Sequence, residues 1–61
     1  MCEAIAVLGY GTRITVHLQN SVEIILRINY VDCDSSYLTG TTINGRYKKI
    51  FISDIRCFEL T

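Results

Sequence analysis

A cluster of cationic and aromatic side chains follows the Asn-Gly pair in the second half of the chain. The four consecutive residues are Arg46, Tyr47, Lys48 and Lys49. Lysine and arginine neutralise phosphate groups, and a tyrosine ring offers a face on which a base can stack. These residue types predict a site for a nucleotide-type ligand, either RNA or a small signalling nucleotide. The alternative is the solvated end of a hairpin, whose charges protect an edge strand from aggregation.

Three further residues are weaker candidates for the same ligand site. Tyr10 stands between two glycines and could close over a ligand, although a tyrosine in this position more often covers one end of a barrel. Tyr37 follows an acidic turn, and its alternative role is packing in the core or at the rim of the barrel. The alternative for Arg27 is a simple surface charge. The predicted ligand site therefore comprises Arg46, Tyr47, Lys48, Lys49, Tyr10, Tyr37 and Arg27.

The sequence predicts a protein that is not an enzyme and that needs no cofactor. His17 is the only histidine, and the strand pattern around it offers no obvious carboxylate partner. A nucleophile, a base and an orienting group cannot be assembled from these residues by spacing. No glycine-rich phosphate loop precedes a helix. Asp32 and Asp34 could bind a hard cation, but a solvated turn explains them better in the absence of further carboxylates.

The cysteine pattern predicts a reduced, cytoplasmic protein. Cys2, Cys33 and Cys57 are odd in number and widely spaced, and none forms a C-x-x-C motif. A disulfide framework favours an even and denser set. A zinc ion shared between subunits through His17 is the less favoured alternative. We also expect no membrane span and no secretion signal, because no apolar run approaches about 20 residues and no basic region precedes a long hydrophobic core at the amino terminus.

The dominant hydrophobic period is two, which predicts strands. Residues 22–32 are long for a single strand, so this strand is expected to bend, with Val22, Ile24, Leu26, Ile28 and Tyr30 facing the core. Residues 2–8 fit either a strand or a short helix ended by Gly9, and the strand is slightly favoured by two β-branched residues. The Asn44-Gly45 pair predicts a type I′ hairpin turn. The predicted strands cover residues 13–18, 22–32, 37–43, 47–52 and 55–60, with a 3₁₀ turn at 53–54.

These elements predict an all-β fold: a small five-stranded SH3-like or Sm-like antiparallel barrel, with or without a one- or two-turn amino-terminal helix. Closure would remove the exposed edges of such a short sheet. The 61 residues form one domain, 1–61. A domain this small buries too little surface to be very stable alone. Since apolar residues make up 49% of the chain, we expect a second copy to cover part of them, giving a homo-oligomer.

Two segments resemble the motifs of the Sm-like family. Residues 15–24, Thr-Val-His-Leu-Gln-Asn-Ser-Val-Glu-Ile, resemble the first Sm motif, and Asp32 falls where the acidic residue closes the second strand. Tyr47-Lys48-Lys49 followed by Ile52-Ser53 and Ile55 is similar to the second motif in the bacterial RNA-chaperone branch. The resemblance covers roughly residues 13–55. It implies a ring of identical subunits in which strand four pairs with strand five of the next copy, and a central pore that binds uridine-rich RNA.

A second resemblance and a second function stay open. The carboxy-terminal half is similar to the last hairpin of a WYL ligand-sensing domain, another SH3-like barrel. The chain could also be a protein-interaction module that docks on a larger partner, such as a host protein bound by a phage-encoded inhibitor of a bacterial defence system. Small size motivates that origin. The apolar residues proposed for such docking are Ile25, Val31, Phe51 and Phe58.

Overall fold

Alternation of apolar and polar residues produces five strands that form one antiparallel sheet. The computed structural model describes residues 1–61. The strand order is β4-β3-β2-β1-β5, and every neighbouring pair is antiparallel. The predicted all-β class and five strands are therefore confirmed. The elements are helix α1 (Cys2–Ala6), β1 (Arg13–Leu18), β2 (Glu23–Asp32), β3 (Tyr37–Thr42), β4 (Tyr47–Phe51), a 3₁₀ turn (Ile52–Asp54) and β5 (Ile55–Leu60).

The sheet does not close into a barrel, which corrects that part of the expectation. Strands β4 and β5 occupy opposite edges of the sheet and are not paired with each other. The 3₁₀ turn carries the chain from one edge to the other. Closure requires a particular strand tilt and register stagger. Hydrophobic alternation determines which face of a strand is buried, but it contains no information about whether the two edges meet.

The amino-terminal segment is a helix, so the preference for a strand was wrong. Cys2 and Ile5 stand three positions apart and therefore share one side of a helix. Both are buried, and Ile5 has no exposed surface. Gly9 follows with φ of +84°, which lets the chain reverse toward β1. The β-branched Ile5 is compatible with helix because tertiary burial outweighs its small intrinsic preference.

A bulge in β2 changes which side chains face the core. The β2–β3 register shifts between Ile28 and Tyr30, which leaves Asn29 as the extra residue. A bulge inserts one residue and so reverses the alternation beyond it. Ile28 is buried, but Tyr30 is 56% exposed and Val31 packs against the core instead. The expectation that Tyr30 and Val22 face the core was therefore wrong, since Val22 lies before β2 and is also exposed.

The hairpin between β3 and β4 has a three-residue loop rather than a two-residue one. The N–H of Gly45 donates to the carbonyl of Thr42 at 2.8 Å, and the N–H of Thr42 donates to the carbonyl of Arg46 at 2.8 Å. Gly45 has φ of +81°, whereas Asn44 has no positive φ. A type I turn followed by a left-handed glycine produces this pattern. The hairpin was predicted correctly, but the type I′ turn was not.

Apolar side chains from the helix and from all five strands form one core. They converge because every second residue of a strand lies on the same side of the sheet. Leu8, Leu18, Ile24, Val31, Ile52 and Phe58 pack around its margin. The eight central members are Ile5, Ile14, Val16, Leu26, Ile28, Leu38, Ile50 and Ile55.

Cys2 and Cys33 form a disulfide, which corrects the expectation of three reduced thiols. Their Cα atoms lie 5.8 Å apart although 31 positions separate them in the chain. The bond joins the start of α1 to the residue after β2. Spacing along the chain did not reveal this proximity, because packing of the helix creates it. Cys57 is free and exposed.

None of the helical segments has the length and apolar composition that a membrane crossing requires. The cytoplasmic location stays a prediction.

Candidate binding surface

One face of the sheet is directed away from the core, and we call it the outer face. In an antiparallel ladder, directly opposed residues point to the same side. Tyr37 opposes Phe51, Thr39 opposes Lys49 and Thr41 opposes Tyr47. This register places three β4 side chains beside β3 and brings three members of the predicted ligand site, Tyr37, Tyr47 and Lys49, to a common surface.

Four outer-face residues form a cluster that we call the aromatic patch: Tyr30, Tyr37, Lys49 and Phe51. The Nζ atom of Lys49 lies 4.4 Å from the ring centroid of Tyr37 and 5.5 Å from that of Phe51. The rings of Tyr30 and Tyr37 meet edge-on, with centroids 6.4 Å apart. Such cation–π contacts contribute about 0.5–1 kcal/mol at exposed sites. The patch is therefore partly preorganised, and its rings remain accessible to solvent.

The side chains of residues 46–49 do not form a single surface. Tyr47 and Lys49 lie on the outer face, whereas the intervening Lys48 points to the opposite side, as the two-residue period of a strand requires. Arg46 precedes β4, and its backbone N–H donates to the Oγ1 atom of Thr42 at 3.2 Å. All four side chains are exposed. Only Lys49 contacts an aromatic ring of the predicted site.

Tyr10 lies apart from residues 46–49. It borders a cleft between the segment after α1 and the end of β2, together with Ala6, Gly9 and Tyr30. Its side chain is largely exposed. Tyr10 shares this cleft with one member of the aromatic patch but is not among the residues that contact Lys49. Its role in ligand binding stays a prediction.

Arg27 lies on β2 directly opposite Arg13 of β1 and also opposite Thr41 of β3. Its guanidinium donates a hydrogen bond to the carbonyl of Gly11 at 3.3 Å. Arg27 is exposed, and together with Arg13 it lines a cleft that does not include the aromatic patch. The sequence singled out Arg27 but missed Arg13, whose proximity follows from the β1–β2 register.

His17 has two carboxylate partners, contrary to the expectation that it has none. Its Nε2 atom lies 2.7 Å from Oε1 of Glu59, and its Nδ1 atom lies 3.3 Å from Oε2 of Glu23. Glu23 opposes His17 across the β1–β2 hairpin, so hairpin register could have identified it. Glu59 comes from β5, which pairs with β1 only after the chain has crossed the sheet. No group of three histidine, cysteine or acidic residues is arranged to hold a metal ion.

The apolar residues proposed for docking differ in exposure. Phe51 is 50% exposed on an edge strand. Ile25 is half-buried, and Val31 and Phe58 are half-buried against the core. Of these four, Phe51 is therefore the side chain most available to a partner.

Strand β4 presents an unpaired backbone at one edge of the sheet. At one end of its ladder with β3, the N–H of Thr42 bonds to Arg46, and at the other end the N–H of Ile52 bonds to Ser36 at 2.9 Å. Hydrogen-bonded and non-hydrogen-bonded pairs alternate in an antiparallel ladder. The backbone N–H and C=O groups directed to the free edge are therefore those of Tyr47, Lys49 and Phe51.

Strand β5 presents the second unpaired edge. The N–H of Thr61 donates to the carbonyl of Arg13 at 3.3 Å, so Arg13 and Thr61 are a hydrogen-bonded pair of the β1–β5 ladder. The same alternation directs the backbone groups of Phe58 and Leu60 outward. The side chain of Leu60 is 66% exposed. Both edges thus combine free hydrogen-bonding groups with an accessible apolar side chain.

Comparison with known proteins identifies one related architecture. No protein-family model matches the chain, and no curated protein matches it. A chain in the solved structure described as "Structural basis of the Dcp1:Dcp2 mRNA decapping complex activation by Edc3 and Scd6" superposes with a TM-score of 0.77 and 27% sequence identity. The match covers 84% of this chain and 53% of that one, so this chain spans about half its length. This similarity supports a small all-β domain of a kind found in a protein complex.

Proposed function

We propose that this chain is a protein-interaction module whose partner adds a strand to a free edge of the sheet. The observation that carries the proposal is the pair of unpaired edges, β4 and β5, each with outward backbone groups and an exposed apolar side chain. Unpaired backbone groups at the edge of a sheet form a template for pairing with another chain. Strand addition uses such edges, with backbone hydrogen bonds supplying affinity and side-chain contacts supplying specificity. The similar chain from a decapping complex supports a role in protein assembly.

The partner that fits both edges is a second copy of this chain. The β4 edge spans five residues and the β5 edge spans six, so β4 of one copy can pair with β5 of the next along nearly their whole length. A head-to-tail contact of this kind generates a ring when its rotation closes. This arrangement agrees with the homo-oligomer that the Sm-like resemblance implies. It would also cover Phe51 and Leu60, which are exposed in the single chain.

Two substitutions at one position test the edge directly. Lys49→Pro removes an N–H that is directed to the free edge, and it removes no hydrogen bond of the β3–β4 ladder. Lys49→Ala retains that N–H and serves as the control for the lost side chain. We expect the unmodified chain and Lys49→Ala to be oligomers by light scattering, and Lys49→Pro to be a folded monomer by circular dichroism. If the unmodified chain is a monomer at every concentration, a second copy is not the partner.

The aromatic patch supports a second candidate function, the binding of a nucleotide-type ligand. Lys49 stands beside two accessible rings, which is an arrangement that suits a phosphate next to a stacked base. Tyr37→Leu removes a stacking face but keeps an apolar side chain. We expect this variant to weaken binding of a uridine-rich oligonucleotide and to leave oligomer size unchanged. Binding that neither falls with added salt nor changes in Tyr37→Leu would exclude this candidate.

A further inference from the structure

Arg13 and Arg27 form a like-charged pair across two strands of the sheet. They are directly opposed in the β1–β2 ladder, so their side chains leave the same face of the sheet next to each other. Like charges in directly opposed positions destabilise a sheet. Both side chains are exposed, and solvent reduces but does not remove the repulsion. The arrangement becomes favourable when an anion lies between the two guanidinium groups.

The protein supplies no anion of its own to this pair. The carboxylates of Glu23 and Glu59 both contact the imidazole of His17. Those two carboxylates are therefore engaged elsewhere, and neither arginine has an acidic partner. Arg27 uses one donor on the carbonyl of Gly11. Because a guanidinium has five donors in a rigid fork, Arg27 is held in place and still has donors for an external oxyanion.

A cleft of about 330 Å³ lies beside the two arginines. Its volume is at the lower end of the range for small-molecule sites, which is roughly 300–1,000 Å³. Thr41 lines the cleft on the same face as Arg27, which it opposes across the β2–β3 ladder, and its hydroxyl is hydrogen-bonded to the amide of Asn29. Ile25 and Ile43 add accessible apolar side chains, whereas the side chain of Leu26 is buried in the core. Cationic and apolar groups therefore border one space.

We propose that this cleft binds a compact phosphorylated small molecule that carries a flat ring, of the size of a nucleoside monophosphate. The two guanidinium groups would hold the phosphate, and the isoleucine side chains would contact the ring. A phosphate alone would leave the apolar lining unused. A long polyanion is disfavoured because the chain has no net charge and a cleft of this volume admits only one compact group.

This inference is independent of the proposed edge pairing. The cleft is lined by residues of β1, β2, β3 and the β3–β4 turn, and it includes none of the β4 or β5 residues that form the free edges. Loss of ligand binding and loss of oligomerisation can therefore be measured separately in the same variants.

The test is titration of the full chain with AMP, followed by two-dimensional NMR, with adenosine and inorganic phosphate as comparison ligands. We expect AMP to shift the amide signals of residues 13, 27 and 41–45 and to bind more tightly than either comparison ligand. Arg13→Gln should weaken AMP binding at least about tenfold, the loss expected for a charge-assisted bidentate contact. Because it relieves repulsion, this variant should also be no less stable than the unmodified chain.

Arg56→Gln provides the matched control, because Arg56 is an exposed arginine of β5 that does not line the cleft. It removes the same charge and should leave AMP affinity unchanged. An equal loss of affinity in Arg13→Gln and Arg56→Gln would show non-specific attraction and overturn the proposal. Absence of AMP binding to the unmodified chain would overturn it too, as would equal affinity for adenosine or for inorganic phosphate.

Discussion

The imidazole of His17 connects β1 to the edge strand β5 through Glu59, with 2.7 Å between Nε2 and Oε1. The other ring nitrogen lies 3.3 Å from Glu23 on β2. One side chain thus links three neighbouring strands of the sheet. The contact lies on the outer face, where the carboxylates are largely exposed. It therefore orients the edge strand more than it stabilises the fold.

A double-mutant cycle measures this link. We expect His17→Gln and Glu59→Gln to show a coupling free energy of about 0.2–1 kcal/mol in urea unfolding, because polar contacts of exposed carboxylates contribute little. Glu3→Gln is a suitable control, since Glu3 lies on α1 and has no ion-pair partner. A coupling well above this range would mean that the contact is shielded from solvent in solution.

The helix α1 is expected to be essential for stability, because Ile5 is fully buried at the centre of the core. Replacing a buried isoleucine with alanine costs about 2–5 kcal/mol through lost burial and a cavity. Val7→Ala is the control, because Val7 is 80% exposed just beyond the helix, and it should cost less than about 0.5 kcal/mol. Equal midpoints of urea unfolding for the two variants would show that α1 does not cover the core.

The Cys2–Cys33 disulfide is expected to make stability sensitive to reductant. A crosslink across 31 positions constrains the unfolded chain by about 3–4 kcal/mol in the chain-entropy model. Adding a phosphine reductant should therefore lower the free energy of unfolding of the unmodified chain by about that amount. Cys57→Ser should respond in the same way, because Cys57 is free.

A Cys2→Ala/Cys33→Ala double variant should be insensitive to reductant from the outset. An unmodified chain whose stability is the same with and without reductant would indicate that the two thiols are not bonded in solution.

Substitution of Gly40 or of Gly45 is expected to lower the stability of the protein, for a different reason at each position. A Cβ on Gly40 would lie 2.7 Å from the carbonyl oxygen of Arg27 and 2.7 Å from Cδ1 of Leu26. The backbone oxygen cannot move without disturbing the ladder, so Gly40→Ala should cost about 1–3 kcal/mol. Gly45 has open space around it but φ of +81°. Gly45→Ala should therefore cost only about 1–2 kcal/mol of backbone strain.

Gly45→Asn separates these two causes, because asparagine tolerates the left-handed region better than alanine does. We expect it to recover part of the stability lost in Gly45→Ala in thermal unfolding. Gly40→Asn should recover nothing, because a close backbone contact causes that loss. Recovery at position 40 would contradict the steric explanation.

Strand positions were largely predictable from the sequence because each depends on local alternation. Residues 13–18 and 55–60 were predicted with the bounds that the structure shows, and β2, β3 and β4 differ by one residue at an end. The errors arose where a single residue reversed the pattern. Asn29 is the clearest example, since the bulge there moves Tyr30 outward and Val31 inward. Nothing in the alternation of residues 22–32 distinguishes this arrangement from a regular strand.

The candidate sites were less predictable because they depend on contacts between distant residues. The basic and aromatic composition at positions 46–49 was evident, but only the register of β3 with β4 shows that Lys49 meets Tyr37 while Lys48 points away. The cleft beside Arg13, the partners of His17 and the Cys2–Cys33 bond were missed for the same reason.

The fold class, the strands and the hairpin follow from local sequence patterns, because period-two hydrophobicity and turn residues act within a few positions. The helix at α1, the open sheet and the residues that meet across it depend on tertiary packing. Those features depend on which strand lies beside which, in what register, and on what covers the core. Pairings such as β1 with β5 join residues 37 to 46 positions apart, and their energy is not expressed in any local pattern.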